Sequence, residues 1–328
     1  MRRCGNPLAV VVLASGVILG PGVAAGASEV DDRVALTFAD ERIDESSGLV
    51  DAGVVMHTVN DSGDDPVVYT VDKRTGETTA VTTYSSDDVD DVEALASGRG
   101  PVVWVGDIGD NSFGRPSVDV YRVRLGASEG ENEQEADRFR LTYPDGAHDA
   151  EALLADPRTG RLYVVSKSIT GGSVYAAPAR LEPGETNEMV AIARVSGLVT
   201  GGAFFPDGRH VLLRSYGTAS VYAFPGFEQV DRVSLPAQEQ GEAVAIGRQG
   251  RIYLSSEGAN SNVLEVGLPA ALQDAVQGTG SVSPSPSVRP DRRRDDRPGA
   301  AGPGSRADEG AGVWIAAGVA GLAPMPST

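Results

Sequence analysis

The chain has 328 residues, of which 41% are hydrophobic and only 5% aromatic, and it contains 41 glycines and 20 prolines. This length can bury a sizeable core, and so many glycines and prolines favour a chain that turns often over a mainly helical one. The single cysteine, Cys4, excludes an internal disulfide and a zinc site built from cysteines.

The charge is strongly acidic. The formal net charge is −18, and between Glu29 and Pro269 we count 20 basic and 40 acidic side chains, with Lys73 and Lys167 as the two lysines. Such a surface repels nucleic acid and anionic membranes and favours cations or cationic partners. We therefore expect no nucleic-acid partner.

Residues 1–27 have the pattern of a secretory signal peptide. Arg2 and Arg3 precede an apolar run, and small residues at Ala25 and Ala27 predict cleavage after Ala27. A buried N-terminal helix is the alternative, but a Gly-Pro-Gly step inside the run argues against it. We therefore predict an exported protein that is extracellular or attached to the cell surface.

One pattern recurs five times along the middle of the chain. A short apolar segment is followed by a turn, an apolar strand with a polar end, a second turn and a third strand that often contains Val-Tyr. The repeats open with "ESSGLV" at Glu45, "DVEALA" at Asp91, "HDAEALL" at His148, "TGGAFF" at Thr200 and "QGEAVA" at Gln240. This spacing, roughly 40 to 58 residues, is typical of a four-stranded propeller blade. The sequence predicts an all-β fold, a five-bladed β-propeller over residues 33–269.

The fifth repeat stops after its third strand, at Leu268. The segment "RVALTFAD", residues 33–40, precedes the first repeat and can supply the missing fourth strand. This closure would leave no open sheet edge between the first and last blades. Six blades are the alternative, if the long connection at residues 126–137 contains further strands.

The C-terminal part differs in composition. Residues 270–310 are rich in Pro, Ser and Arg, which predicts a disordered stalk. Residues 311–328 contain an apolar run that is shorter than the about 20 residues needed to cross a bilayer. We interpret this run as a truncated membrane anchor, and the alternative is a sticky, unstructured terminus.

The repeats predict a charged site on the propeller axis. The first strand of each blade lines the axis, so equivalent residues of the repeats should meet there. The openings supply glutamates, whereas the fourth repeat has Gly201 and Gly202 at that place. The ends of the second strands add one charged residue per blade. The predicted ligand-binding residues are Glu93, Glu151, Glu242, Lys167, Arg214 and Glu257, with Glu45 as a less secure equivalent.

Carboxylates gathered on one axis repel one another unless something compensates their charge. A bound cation, salt bridges to lysine or arginine, or raised carboxyl pKa values could do this. The first would be a Ca²⁺ or Mg²⁺ site with oxygen ligands, and we predict a Ca²⁺ site at Asp61, Asp107, Asp110 and Asn111. The alternative for each of these residues is an ordinary turn, because Asp, Asn and Gly are the usual turn formers.

Several other residues have weaker signals. The acidic run "DDVDDVE", residues 87–93, lacks the glycine and spacing of an EF-hand loop. We expect His148 to be a turn residue, with a base or ligand as the alternative, and we expect His57 and His210 to pack within strands. Arg115 should pair with Asp110, and the alternative is that it holds an anionic ligand. The motifs of serine hydrolases, zinc proteases and nucleotide-binding loops are absent.

The motifs "NDSG", "DIGDN" with a following Arg, "DAEAL", "SK" and "QGEA" resemble those of exported bacterial β-propeller proteins, many of them actinobacterial. These are loosely similar to the propellers named for an esterase-like activity of phytase. The resemblance covers residues 45–268 and implies an exported propeller without implying a reaction. The glycines of the fourth repeat depart from the pattern.

Two functional hypotheses follow. The first is a surface-displayed binding module whose acidic, Ca²⁺-occupied axial face recognises a small ligand, a glycan or a partner protein. The second is a metal-dependent hydrolase of phosphoesters or glycosides that uses the axial carboxylates. A propeller can host either function, so the fold does not choose between them.

Overall fold

The computed structural model describes residues 28–61, 65–86, 89–126 and 128–277. Their strands form five sheets, and the first strands of neighbouring sheets pack against one another in a closed circle. The predicted five-bladed β-propeller is therefore confirmed. We number the blades in chain order from the first repeat.

Each blade has four antiparallel strands, ordered from the axis outwards. The strands of blade 1 are Ser46–Asp51, Val55–Asn60, Val67–Asp72 and Thr78–Tyr84. Those of blade 2 are Val92–Ser97, Val102–Asp107, Val118–Arg124 and Ala136–Thr142. Those of blade 3 are Ala150–Ala155, Leu162–Ser166, Ser173–Ala176 and Val190–Arg194. Those of blade 4 are Gly201–Phe204, His210–Arg214, Thr218–Ala223 and Glu228–Ser234. Those of blade 5 are Gly241–Ile246, Ile252–Ser256, Asn262–Val266 and the N-terminal Asp32–Thr37.

The N-terminal strand closes the ring as predicted. Asp32–Thr37 pairs antiparallel with Asn262–Val266, so residues from both ends of the propeller share blade 5. Because this pairing joins distant parts of the chain, it removes the edge that an open ring would expose.

Three blades carry a fifth strand on their outer edge. Gly130–Gln134 pairs parallel with the outer strand of blade 1, Thr186–Glu188 with that of blade 2, and Ser28–Glu29 with that of blade 4. The connection at residues 126–137 thus adds a strand to blade 1 and does not form a separate blade. The alternative of six blades is wrong for this reason.

The core lies between the blades. Valine, leucine, alanine and tyrosine side chains from adjacent sheets form five buried clusters, as expected for strands that are apolar on both faces. One helix, Ala270–Gln277, follows the last blade and packs Leu272 and Val276 against blades 4 and 5.

This helix corrects the predicted stalk, which was placed at residues 270–310 but begins with an ordered helix anchored by two buried side chains. The rest of the stalk, the predicted signal at 1–27 and the apolar segment at 311–328 lie outside the described residues. Among the residues described, no helix has the length and hydropathy needed to span a membrane.

Candidate functional site

The glutamates of the repeats occupy β-bulges. In blades 1, 2 and 3, the pairing of the first strand with the second skips one residue, which is Ser47, Glu93 and Glu151 respectively. In blade 5 the same pairing shifts its register next to Glu242. A bulge leaves its extra residue unpaired and re-aims the side chain. In blade 1 the bulged residue is Ser47, so Ser47 and not Glu45 is the equivalent of Glu93.

Blade 4 has no such bulge. Gly201 pairs with Arg214 and Gly202 with Leu213 in unbroken register. A Cβ atom on Gly201 would lie 2.5 Å from the backbone oxygen of Glu242. The glycine therefore lets the first strand of blade 5 approach closely, which explains why the fourth repeat lacks an acid.

Charged residues from four blades meet at the end of the axis where the first strands begin. We call this group the axial mouth. It consists of Asp61, Asp91, Glu93, Glu151, Lys167, Glu242 and Glu257.

Three carboxylates of the axial mouth lie close enough to share an ion. Asp61, Asp91 and Glu93 each offer an oxygen, and these atoms all lie within 4.8 Å of one another. Oxygen ligands bind Ca²⁺ at about 2.3–2.6 Å, so ligands on opposite sides of one ion are about 5 Å apart. The three residues therefore fit a hard divalent cation.

Asp91 is absent from the residues that the sequence predicts as ligands. It lies in the acidic run "DDVDDVE", two residues before Glu93. This run does not match an EF-hand loop, so its spacing does not identify a ligand. The relevant signal is its position at the opening of a repeat, where the chain enters the axis.

Glu93 is held mainly in its protonated form. Its side chain is buried, and burial together with the negative charges of Asp61, Asp91 and Glu242 raises its pKa to about 9. The nearby Lys167 ammonium opposes this shift only in part. At neutral pH, Glu93 therefore carries a proton.

Glu242 shares its environment with a second glutamate from the same blade. Burial, then the charge of Glu257 and a hydrogen bond with it, raise the pKa of Glu242 to about 8. Two carboxyl groups this close do not both ionise readily, so one proton stays between them. The charge of Asp61, from blade 1, adds to the shift, which shows that the two sides of the axial mouth interact.

Lys167 supplies the positively charged side chain of the axial mouth. Its ammonium donates a hydrogen bond to Oε1 of Glu151, which is 3% exposed. The other oxygen of Glu151, Oε2, is buried and accepts no hydrogen bond from any residue described. This carboxylate keeps one acceptor position open at the axis.

Arg214 is predicted to contact a ligand, and the structure contradicts this. Its side chain is completely buried and donates hydrogen bonds to the backbone oxygens of Ala243 and Ser255, both at 2.6 Å, and to Gln238. Burial lowers its pKa to about 9, partly offset by the charge of Glu242. Arg214 ties blade 4 to blade 5 beneath the axial mouth, out of reach of a ligand.

The predicted metal ligand Asp107 is also a structural residue. In the strand pairing, Asp107 lies opposite Val92, just as Asn60 lies opposite Ser46 in blade 1. Asp107 is therefore the equivalent of Asn60, and it comes one residue before the position that matches Asp61. A shift of one residue turns a strand side chain to the opposite face. Its carboxylate accepts the backbone N–H groups of Asp90 and Asp91 and an ion pair from Arg115 at 2.7 Å. Asp107 therefore positions Asp91 and does not belong to the axial mouth.

Asp110 and Asn111 lie in the loop after that strand. The Asp110 carboxylate accepts the N–H groups of Gly114 and Arg115, whereas Asn111 is exposed. These contacts are those of a turn, so we do not retain either residue as a metal ligand. The Arg115 guanidinium pairs with Asp107, not with Asp110 as predicted.

Tyr216 is a further residue at the axial mouth that the repeats did not reveal. It is 40% exposed, and burial followed by the charges of Glu242, Glu257 and Glu93 raises the pKa of its hydroxyl. It lies in the turn after the second strand of blade 4, where the aligned repeats have no shared residue type.

The three histidines make local contacts. His57 is buried and bonds to Thr70, and burial lowers its pKa to about 4. His148 contacts Tyr175, with 2.7 Å between Nε2 and the phenol oxygen. His210 pairs with Asp207.

A cavity of about 1730 Å³ lies among the opposite ends of the first strands. Leu49, Leu95, Leu153 and Val244 line it, and none of the predicted site residues does. We place the candidate site at the axial mouth because three carboxylate oxygens at ion-binding spacing and two buried glutamates with raised pKa values converge there.

No protein-family model and no curated protein sequence matches this chain. Among solved structures it is similar to a glucose dehydrogenase, with a TM-score of 0.46 and 11% identity over 73% of this chain and 100% of that one. For the soluble aldose sugar dehydrogenase from Escherichia coli, the TM-score is 0.44 and the identity 10%, over 73% of this chain and 99% of that one. For a gluconolactonase from Xanthomonas campestris, the TM-score is 0.41 and the identity 16%, over 67% of this chain and 70% of that one. Similarity at this level does not transfer an activity to this chain.

Proposed function

We propose that this protein is an exported binding module whose axial mouth holds one divalent cation, Ca²⁺, and presents the charged face of the propeller to a ligand. Asp61, Asp91 and Glu93 would supply cation ligands. The observation that carries the proposal is the spacing of these three oxygens, in a mouth whose described residues include six carboxyl groups and one lysine. The pattern of residues 1–27 supports export.

The protonated glutamates support the cation proposal. Glu93 and Glu242 keep protons because their neighbours are negative, and a divalent cation at the same place would reverse this cause. Metal binding should therefore release protons. Proton release is a specific signature, since a cation attracted to scattered surface acids would not show it.

Calorimetric titration tests the proposal. We expect Ca²⁺ to bind the protein at one site at pH 7, with release of about one to two protons, measured by repeating the titration in buffers of different ionisation heat. Asp61→Asn and Asp91→Asn should weaken binding by at least about tenfold, and Glu77→Gln, an exposed control, should not. Absence of saturable heat up to millimolar Ca²⁺ would refute the cation site.

Export has its own test. When the full chain is produced in a bacterial host with a functional secretion pathway, we expect the protein outside the cytoplasm with Ser28 as its first residue. An uncleaved chain that stays in the cytoplasm would contradict this part of the proposal without bearing on the cation.

A metal-dependent hydrolase is the second candidate, because a protonated glutamate beside ionised carboxylates is the arrangement of an acid–base pair. Here Glu93 or Glu242 would donate a proton to the leaving group of a phosphoester or glycoside. Chromogenic substrates of both classes test this, with Glu93→Gln or Glu242→Gln, whichever removes the acid, expected to abolish turnover. Turnover unchanged in these variants, or none in the wild type, would remove this candidate.

A further inference from the structure

Three exposed apolar side chains lie in loops at the same end of the propeller as the axial mouth. Phe113, Ile169 and Tyr216 are 61%, 90% and 40% exposed, and each lies in the loop that follows the second strand of its blade, in blades 2, 3 and 4. We call these three residues the apolar rim. Large apolar side chains at such exposure, gathered on one face, are typical of an interaction surface.

Each residue of the apolar rim is linked to the axial mouth. Ile169 is two residues after Lys167 in the same loop. The pKa of Tyr216 is raised by burial and by the carboxylates of the mouth. The Phe113 loop begins at Gly109, where a Cβ atom would overlap a carboxylate oxygen of Asp91.

The loop that carries Phe113 is fixed by hydrogen bonds. Phe113 has a φ of 53°, a conformation that non-glycine residues rarely adopt, and its N–H donates to the backbone oxygen of Asp110 at 2.9 Å. The Asp110 carboxylate holds the next two N–H groups, and Arg115 clamps the loop to Asp107. An apolar anchor that is already ordered loses little conformational entropy on binding. This explains the acids of the "GDIGDN" stretch better than a metal site does.

The charge inside the apolar rim selects the partner. Once the bound cation has displaced the protons of Glu93 and Glu242, the six ionised carboxylates of the axial mouth outnumber the four positive charges of Lys167, the buried Arg214 and the divalent cation. The centre therefore stays negative with the cation bound, and an anionic lipid surface or nucleic acid would be repelled. A complementary surface has a positive centre with apolar groups around it.

We infer that the apolar rim and the axial mouth together dock a protein partner that inserts a lysine or arginine side chain into the mouth and packs neighbouring apolar side chains on Phe113, Ile169 and Tyr216. This rests on the proposed binding function and not on the cation itself, because the centre of the axial mouth is negative with or without it. Phe113 and Tyr216 are aromatic anchors of the kind that dominate binding energy in protein interfaces.

Peptide display tests the inference. A random peptide library is selected on the wild-type protein in millimolar Ca²⁺, and an enriched peptide is then synthesised and its affinity measured by fluorescence anisotropy. We expect enriched peptides with a lysine or arginine flanked by apolar residues. Replacing that basic residue by glutamate should weaken binding by at least about tenfold.

Variants of the apolar rim complete the test. The triple variant Phe113→Ser, Ile169→Ser, Tyr216→Ser should bind the peptide at least about tenfold more weakly, whereas Val54→Ser, on a turn between the first two strands of blade 1, should bind like wild type. Both variants should keep the wild-type circular dichroism spectrum and Ca²⁺ titration.

The outcomes separate the two proposals. Enriched peptides without a basic residue, equal binding to the triple variant, or no enrichment over background would overturn the docking inference, even if Ca²⁺ binding is normal. Peptide binding that depends on the apolar rim in a protein that binds no Ca²⁺ would support docking and count against the cation alone.

Discussion

Replacing Glu93 by glutamine should stabilise the protein in the absence of metal. The pKa of Glu93 is raised from 4.5 to about 9 by burial and by neighbouring carboxylates, so the folded protein keeps a proton that the unfolded chain loses at neutral pH. Holding that proton at pH 7 costs about 3 kcal/mol of folding free energy. Glutamine resembles the protonated acid in shape and has no proton to take up, so Glu93→Gln removes this cost.

The sign of the pH dependence follows from the same shift. Above pH 4.5 the unfolded chain binds fewer protons at this position than the folded protein, so the free energy of unfolding falls as pH rises until the pH passes about 9. Glu93 alone contributes a loss of about 1.4 kcal/mol per pH unit in this window. Glu242 contributes a similar slope up to about pH 8, and this second slope remains in the variant.

Thermal unfolding by calorimetry measures the effect. With a chelator present at pH 7, we expect Glu93→Gln to melt roughly 6–12 °C above wild type, and this gain should be larger at pH 8 than at pH 6. The exposed Glu77→Gln should show neither change. Ca²⁺ at 100 times its Kd should stabilise wild type by about 3 kcal/mol. It should stabilise the variant less, because glutamine lacks the negative charge of one Ca²⁺ ligand, so the difference in melting temperature should shrink.

A variant that melts at or below the wild-type temperature at pH 8 in chelator would show that Glu93 is ionised in the folded protein. The axial mouth would then be more open to water than the structure indicates. A gain that is independent of pH would assign the effect to packing and not to the proton.

Three further changes test the surroundings of the axial mouth. Lys167→Met leaves the Glu151 carboxylate buried without its ion-pair partner, so a loss of about 3–5 kcal/mol is expected in urea unfolding, and a loss below about 1 kcal/mol would indicate that water solvates the acid. Arg214→Met removes the donor from three acceptors between blades 4 and 5 and should lower stability by several kcal/mol while leaving Ca²⁺ affinity within about threefold. Gly109→Ala places a methyl group against the Asp91 carboxylate and should weaken Ca²⁺ binding by about tenfold with little change in melting temperature; unchanged affinity would remove Asp91 from the ligand set.

The blade count and the ring closure were predictable because they depend on patterns along the chain. The repeat spacing indicates five units, and the incomplete fifth unit implies that Asp32–Thr37 completes it. The glutamates were predictable for the same reason, since equivalent positions in a closed ring must face one axis. The fifth strands on three blades were not predictable, because short polar segments such as Thr186–Glu188 have no strand signal of their own.

The roles of individual charged residues depended on register and burial. Asp107 aligns with Asp61 in sequence, but the strand pairing shifts it by one residue and turns it toward the backbone of Asp90 and Asp91. Arg214 aligns with Lys167, yet one side chain is fully buried and the other reaches the axial mouth. A sequence alignment does not show where a strand contains a bulge, and a bulge changes the face of the sheet toward which the following side chains point.

The sequence by itself therefore determined the architecture and the excess of negative charge at its axis, because both follow from periodic patterns. Only the tertiary structure decided which acids share an ion-sized space, which keep their protons and which build the loop that displays Phe113. Those properties depend on distances between blades, and such distances are set by packing in three dimensions.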